Sequence, residues 1–170
     1  MPLADLLLPE FDAEIVTTRK VLERVPDDRI EWRPHRKSFP MGHLAQLVAM
    51  IPGWTSHVLT RPEFDIAPRE GPSAVYRFLP VEQLLSMFDK NVAEARPLIE
   101  TVSDAALEES WTLKAAGRVV NTMPRYMVYR TLMLNHLVHH RAQLGFYLRL
   151  TEQNVPQMYG PTADERDPAG

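Results

Sequence analysis

The chain has 170 residues, 45% of them hydrophobic and 24% charged, which fits one globular domain with its own core and excludes a disordered chain. It has no cysteine, so disulfides, thiolate metal sites and a cysteine nucleophile are ruled out. A net charge of -3, from 19 basic and 22 acidic residues, argues against a nucleic-acid binder that works by neutralising phosphates.

The 15 prolines partition the chain, because proline breaks helix interiors. The first predicted helix runs from Leu3 to Val25, with Leu7, Phe11, Glu14, Thr18, Val21, Leu22 and Val25 on one face. Glu14 is expected at the margin of that stripe, reaching water, since an unpaired buried carboxylate is costly. A connector follows over residues 26–39, and Ser38 and Pro40 mark the next helix start. The second helix is read over Pro40–Leu59, with a change of direction at Pro52-Gly53. Its charge-free run from Ser38 to Thr60 approaches the ~20 residues of a membrane span. His43, Gln46, Pro52, Gly53, Ser56 and His57 interrupt it, so it reads as a core helix and no membrane partner is expected. The start of the chain lacks the basic stretch of a signal peptide, and a cytoplasmic location is the default.

Residues 60–79 carry several prolines and no sustained period. Such a connector can reach about 65 Å and lets the next helix start parallel to the last. The third helix is read from Pro80 to Thr101, on Val81, Leu84, Leu85, Phe88, Val92, Ala95 and Ile99. Ser103-Asp104 starts a short helical turn through Glu109, and Trp111–Leu113 with Arg118–Val120, around Gly117, suggest a small hairpin. The fourth helix runs from Met123 to Leu150, and residues 151–170 form a polar tail. The predicted fold class is therefore all-α: a four-helix bundle over residues 1–150 with two long connectors and room for one small hairpin.

Chemistry concentrates in Asn135-His-Leu-Val-His-His-Arg-Ala-Gln-Leu144. His136 and His140 are four apart, so both imidazoles project from one side of the helix, with Gln143 on the same sector and His139 and Arg141 elsewhere. Two imidazoles at this spacing can chelate one divalent metal, or they can be core histidines bonded to Glu14, Thr18 or water. A third metal ligand would come from His43, Glu14, His35 or His57, with His57 expected to face solvent. Trp32, Trp54 and Trp111 read as core anchors or pocket walls. Arg33, Arg36 and Lys37, interleaved with Trp32 and His35, read as a local surface patch.

Three stretches resemble the DinB-like (DinB and YfiT-like) superfamily: Phe11–Arg19 with Leu22–Pro26; Trp32–Ser38 running into Leu44-Ala45 and Pro52–Trp54; and Asn135–Leu144 with Tyr147–Arg149, Val155-Pro156 and Tyr159–Pro161. The resemblance implies a four-helix bundle that is not simply up-down connected, a homodimer, and a nickel or zinc ion held by three histidines. Two of these would be His136 and His140. The third would lie on the second helix, where this chain reads Leu44-Ala-Gln-Leu-Val-Ala49, so the implied ligand position holds Leu47. His43 or Glu14 completes the site, or it binds metal weakly, or it is a metal-free pocket. The expected function is a stress-associated DinB-like protein whose pocket, lined by Leu47, Thr18, Gln143 and Tyr147, binds a divalent metal weakly or a small molecule. The alternative is a metal-dependent thiol S-transferase or hydrolase acting on a small electrophile, with Gln143 or Tyr147 orienting the substrate.

Overall fold

Helix α1 (Ala4–Leu22) turns Leu7, Phe11, Glu14, Ile15, Thr18, Val21 and Leu22 inward, the face its apolar spacing dictates. The structure, a computed structural model, describes residues 1–68 and 76–165. Residues 69–75 of the expected connector and 166–170 of the expected tail lie outside them. Helix α2 (Met41–Met50) is buried nearly all round, which explains why its stretch of sequence carries no charge. A 3-10 turn at Ile51–Gly53 then redirects the chain into α3 (Trp54–Thr60). Gly53 lies close to Asn91: a Cβ there would come within 2.9 Å of Asn91 Oδ1 and push that side chain aside. After the connector come α4 (Val81–Thr101) and α5 (Asp104–Glu108), whose N-cap Ser103 Oγ accepts from the Ala106 amide at 3.2 Å. A final helical rod comprises α6 (Arg125–Val128), a π-helical stretch (Tyr129–Asn135) and α7 (His136–Leu150).

Ion pairs report how these rods run. Asp12 takes both arms of Arg96 at 3.0 Å and Asp89 takes Arg19 at 2.9 Å, so α1 and α4 are antiparallel. Glu10 pairs with Arg130 and Glu14 with Arg141, so α1 and the final rod are parallel. Gly42 lies against Phe78 and Gly53 against Asn91, which makes α2–α3 parallel to α4. The long connector is what permits that parallel step, as its reach implied. Phe11, Leu22, Met41, Leu44, Ile51, Leu84, Phe88, Ile99 and Met133 fill the space between the rods. Each such side chain contributes about 1.5–3 kcal/mol through its burial.

The all-α class is corrected by a three-stranded mixed sheet, β1 (Glu63–Asp65), β2 (Ser110–Ala115) and β3 (Arg118–Pro124), beside helices that take up about 59% of the described residues. β2 and β3 are antiparallel and realise the expected hairpin, whose strand also takes Met123 and Pro124 from the expected fourth helix. Ala116 (φ 51°) and Gly117 (φ 77°) form its left-handed turn. β1 pairs parallel to β2, and it is too short for alternation to show in the sequence. Asp65 at its end accepts the Ala67 amide (2.9 Å), the Ala116 amide (3.1 Å) and the Gly117 amide (2.7 Å), tying the hairpin turn down. Trp111 Nε1 and Arg125 Nη1 cap the end of α3 by donating to the carbonyls of His57 (3.1 Å) and Val58 (2.6 Å). Among the described residues no helix is long and apolar enough to cross a membrane.

Candidate functional site

His136, His140, Gln143 and Tyr147 form a polar stripe along α7. The π-helical stretch ends immediately before His136, and its wider turns set the rotation with which α7 begins. The two histidines meet through their Nε2 atoms, 2.7 Å apart. On the far side of His140, Nδ1 donates to Gln143 Oε1 at 2.9 Å, which leaves Nε2 of that ring as a bare lone pair. Nδ1 of His136 is buried without a well-formed hydrogen bond, and the Leu132 carbonyl is the acceptor that faces it. Trp54 lies over His136, with ring centroids 5.3 Å apart. Burial holds both imidazoles below the ordinary histidine value. His140 adds to the shift at His136, and the Leu132 carbonyl opposes it. At His140 the Gln143 bond opposes the shift.

Glu14 and Thr18 belong to a different cluster. Glu14 is not at a wet margin. It is buried on α1 and salt-bridged at 2.6 Å to Arg141, whose side chain is only 1% exposed. Arg141 also donates to the Glu14 carbonyl (3.1 Å), to Thr18 Oγ1 (3.2 Å) and to the Tyr159 hydroxyl (2.7 Å). The Tyr159 hydroxyl in turn donates to the Glu14 carboxylate, 2.8 and 2.9 Å from its two oxygens. The pair supplies its own charge compensation, which is what allows a carboxylate there. The tail that brings Tyr159 is held by Asp164, which takes Arg149 and accepts the Val155 amide at 2.8 Å. Arg141 was legible only as a residue facing away from the histidines, and no local signal marked Tyr159 as its partner.

His57 does not face open solvent. Its Nδ1 is buried, its ring stacks on Phe64 at 4.3 Å, and burial, with Arg61 second, lowers its pKa. His35 is exposed, and its Nδ1 accepts the Lys37 amide. Among the described residues no three His, Asp or Glu side chains converge as a metal-ligand group.

A family model for the DinB family matches residues 1–168. The chain belongs to the DinB family. Two solved structures share its fold. A DinB-like protein from Bacillus cereus has a TM-score of 0.68 at 20% identity, over 89% of this chain and 95% of that one. A DinB-like protein from Bacillus subtilis has a TM-score of 0.64 at 11% identity, over 95% and 99%. No curated protein matches the chain significantly.

In this DinB chain the contacts at the two ends of α2 decide what stands opposite the histidine pair. Trp54 meets His136 at one end, and the Phe39 carbonyl accepts from the Tyr147 hydroxyl (3.3 Å) at the other. Leu47 is buried on α2 between these two contacts. His43 lies one turn before Leu47 on α2. There its ring is sandwiched between Phe39 (4.2 Å) and Tyr76 (3.5 Å), and burial lowers its pKa. Of the third ligands weighed from sequence, Glu14 is engaged by Arg141 and Tyr159, and His43 by its aromatic neighbours. Tyr147 is buried edge-on against Trp32 at 5.5 Å.

Proposed function

We propose that this DinB protein holds one divalent transition metal, nickel or zinc, weakly through His136 Nε2 and His140 Nε2, and that the metal-histidine face binds a small molecule. The observation that supports this is the meeting of the two Nε2 atoms at 2.7 Å while Nδ1 of His140 is spent on Gln143. At that distance one proton bridges the pair, donated by His136 Nε2 to the lone pair of His140 Nε2, and a metal would take that proton's place. Two imidazole nitrogens on one metal sit about 2.9–3.4 Å apart when each bond is about 2.0–2.1 Å. The pair therefore needs only a slight spreading to chelate. The donor set fits a two-nitrogen site. It does not fit a closed three-histidine site, because Leu47 has no donor. His136 and His140 hold the ion, Gln143 fixes the His140 tautomer, and Trp54 shields one side from water.

The enzymatic reading, transfer of a thiol to a small electrophile or hydrolysis, draws on the same feature: two protein ligands leave coordination positions free for a substrate. When bound, such a metal supplies Lewis acidity that lowers the pKa of a thiol or water. Metal content of tag-free protein purified without chelator tests the proposal. Bound metal that is lost in His136→Ala, and an affinity raised by Leu47→His, are the results expected. Metal-free protein that takes up neither nickel nor zinc at micromolar concentration would overturn it.

A further inference from the structure

The start of α2 carries a second set of features that the histidine pair does not use. Phe39, Tyr76 and Phe78 are partly exposed aromatics gathered there: Phe39 and Tyr76 cover the two faces of His43, and Phe78 packs on Gly42. Trp32 and Tyr147 continue the cluster inward. His43 Nε2 is buried within it without a hydrogen-bond partner among the described residues. The loop that ends in Phe39 presents Arg33, Arg36 and Lys37, and Arg77 lies between Tyr76 and Phe78. Arg36 and Lys37 are within about 10 Å of Phe39 along the chain. Among the described residues none of these four cations meets a carboxylate, whereas Arg19, Arg96, Arg130, Arg141 and Arg149 all do. A locally cationic surface on a chain of net charge -3 calls for an anion. The α2 N-terminus is not what attracts it, since the Met41 and Gly42 amides already donate to the carbonyls of Trp32 and Ile30, both at 2.8 Å.

We propose that this surface binds a flat organic anion, an aromatic carboxylate or sulfonate, stacked on the outer face of Tyr76, the face turned away from His43, with its acid group toward Arg77, Arg36 and Lys37. Stacking selects the flat ring and the cations select the sign of charge. This surface lies at the Tyr147 end of the polar stripe, about 10 Å along α7 from His140. It stands whether or not the histidines hold a metal.

Titration of the full chain with 2-naphthoate, read by calorimetry and tryptophan fluorescence, tests this. Naphthoate is expected to saturate one site. The 2-naphthylmethylammonium ion has the same ring with opposite charge, and cyclohexanecarboxylate the same charge without a flat ring; both should bind at least tenfold more weakly. The surface variant Arg33→Glu/Arg36→Glu/Lys37→Glu, and separately Tyr76→Ala, should weaken naphthoate at least tenfold with unchanged thermal unfolding, while His136→Ala leaves it unchanged. Absence of saturation, equal binding of the cation, or indifference to the charge reversal would overturn the proposal. So would loss of binding in His136→Ala, which would place the ligand at the histidine pair. A single-stranded oligonucleotide that binds more tightly and displaces naphthoate would also overturn it, and would make the surface a nucleic-acid site.

Discussion

Replacing Arg141 with methionine keeps most of the buried stem and deletes the charge. Glu14, its side chain 11% exposed, then keeps the Tyr159 hydroxyl but has no cation. Removing one partner of a buried pair costs about 3–5 kcal/mol, mostly the penalty of leaving the other charge unpaired. A chain of this length loses about 2–4 °C of Tm per kcal/mol, so Arg141→Met should lower Tm by about 6–20 °C. Urea unfolding followed by far-UV circular dichroism, with chelator present so that metal binding does not contribute, gives the free energy. The double variant Glu14→Leu/Arg141→Met removes both charges and should recover most of the loss, because apolar residues can replace a buried pair at little cost. A single-variant loss below about 1 kcal/mol, or no recovery in the double, would refute the inference that the pair is sealed from water.

Tyr159→Phe deletes one hydroxyl bonded to both charges, and because Tyr159 is largely exposed it should cost only about 0.5–1.5 kcal/mol in the same assay. Gln143→Leu frees Nδ1 of His140, so nickel or zinc affinity measured by competition with a chromogenic chelator should fall about tenfold or more, with little change in unfolding. His43, His57, His136 and His140 all lie below the ordinary histidine value of about 6.5 in the folded chain, chiefly through burial. The unfolded chain then binds more protons once the pH drops toward that value, so stability falls with pH. Melts in chelator should show a lower Tm at pH about 5.5 than at about 7.5, and an equal or higher one would contradict the burial of these rings. Asp65→Ala should speed hydrogen exchange at the Ala116 and Gly117 amides, measured by NMR, while leaving the α1 amides protected.

The long helices were legible because their apolar residues recur at three and four, and the parallel step was legible in the length of the proline-rich connector. The kink at Pro52-Gly53 and the Ser103 cap were readable for local steric and hydrogen-bonding reasons. β1 was not, because three residues carry no period and its order depends on an aspartate satisfying amides more than 50 positions away in the chain (|i−j| of 51 and 52). In the site, four-residue spacing put His136 and His140 together. The assignment of Glu14 to a wet margin failed because its partners, Arg141 and Tyr159, lie 127 and 145 positions along the chain. Spacing also misled for His57, whose position late in a helical stretch suggested solvent but whose ring is covered by Phe64 from β1.

The clasp between α1, α7 and the tail has a consequence for biosynthesis. Glu14 emerges from the ribosome early, Arg141 late, and the phenol that completes their bonding later still. Until Arg141 is free of the exit tunnel, the first helix carries a carboxylate on its inward face without the cation that neutralises it. That face should therefore stay wet and loosely packed until Arg141 has emerged, and docking of the segment that carries Tyr159 should follow.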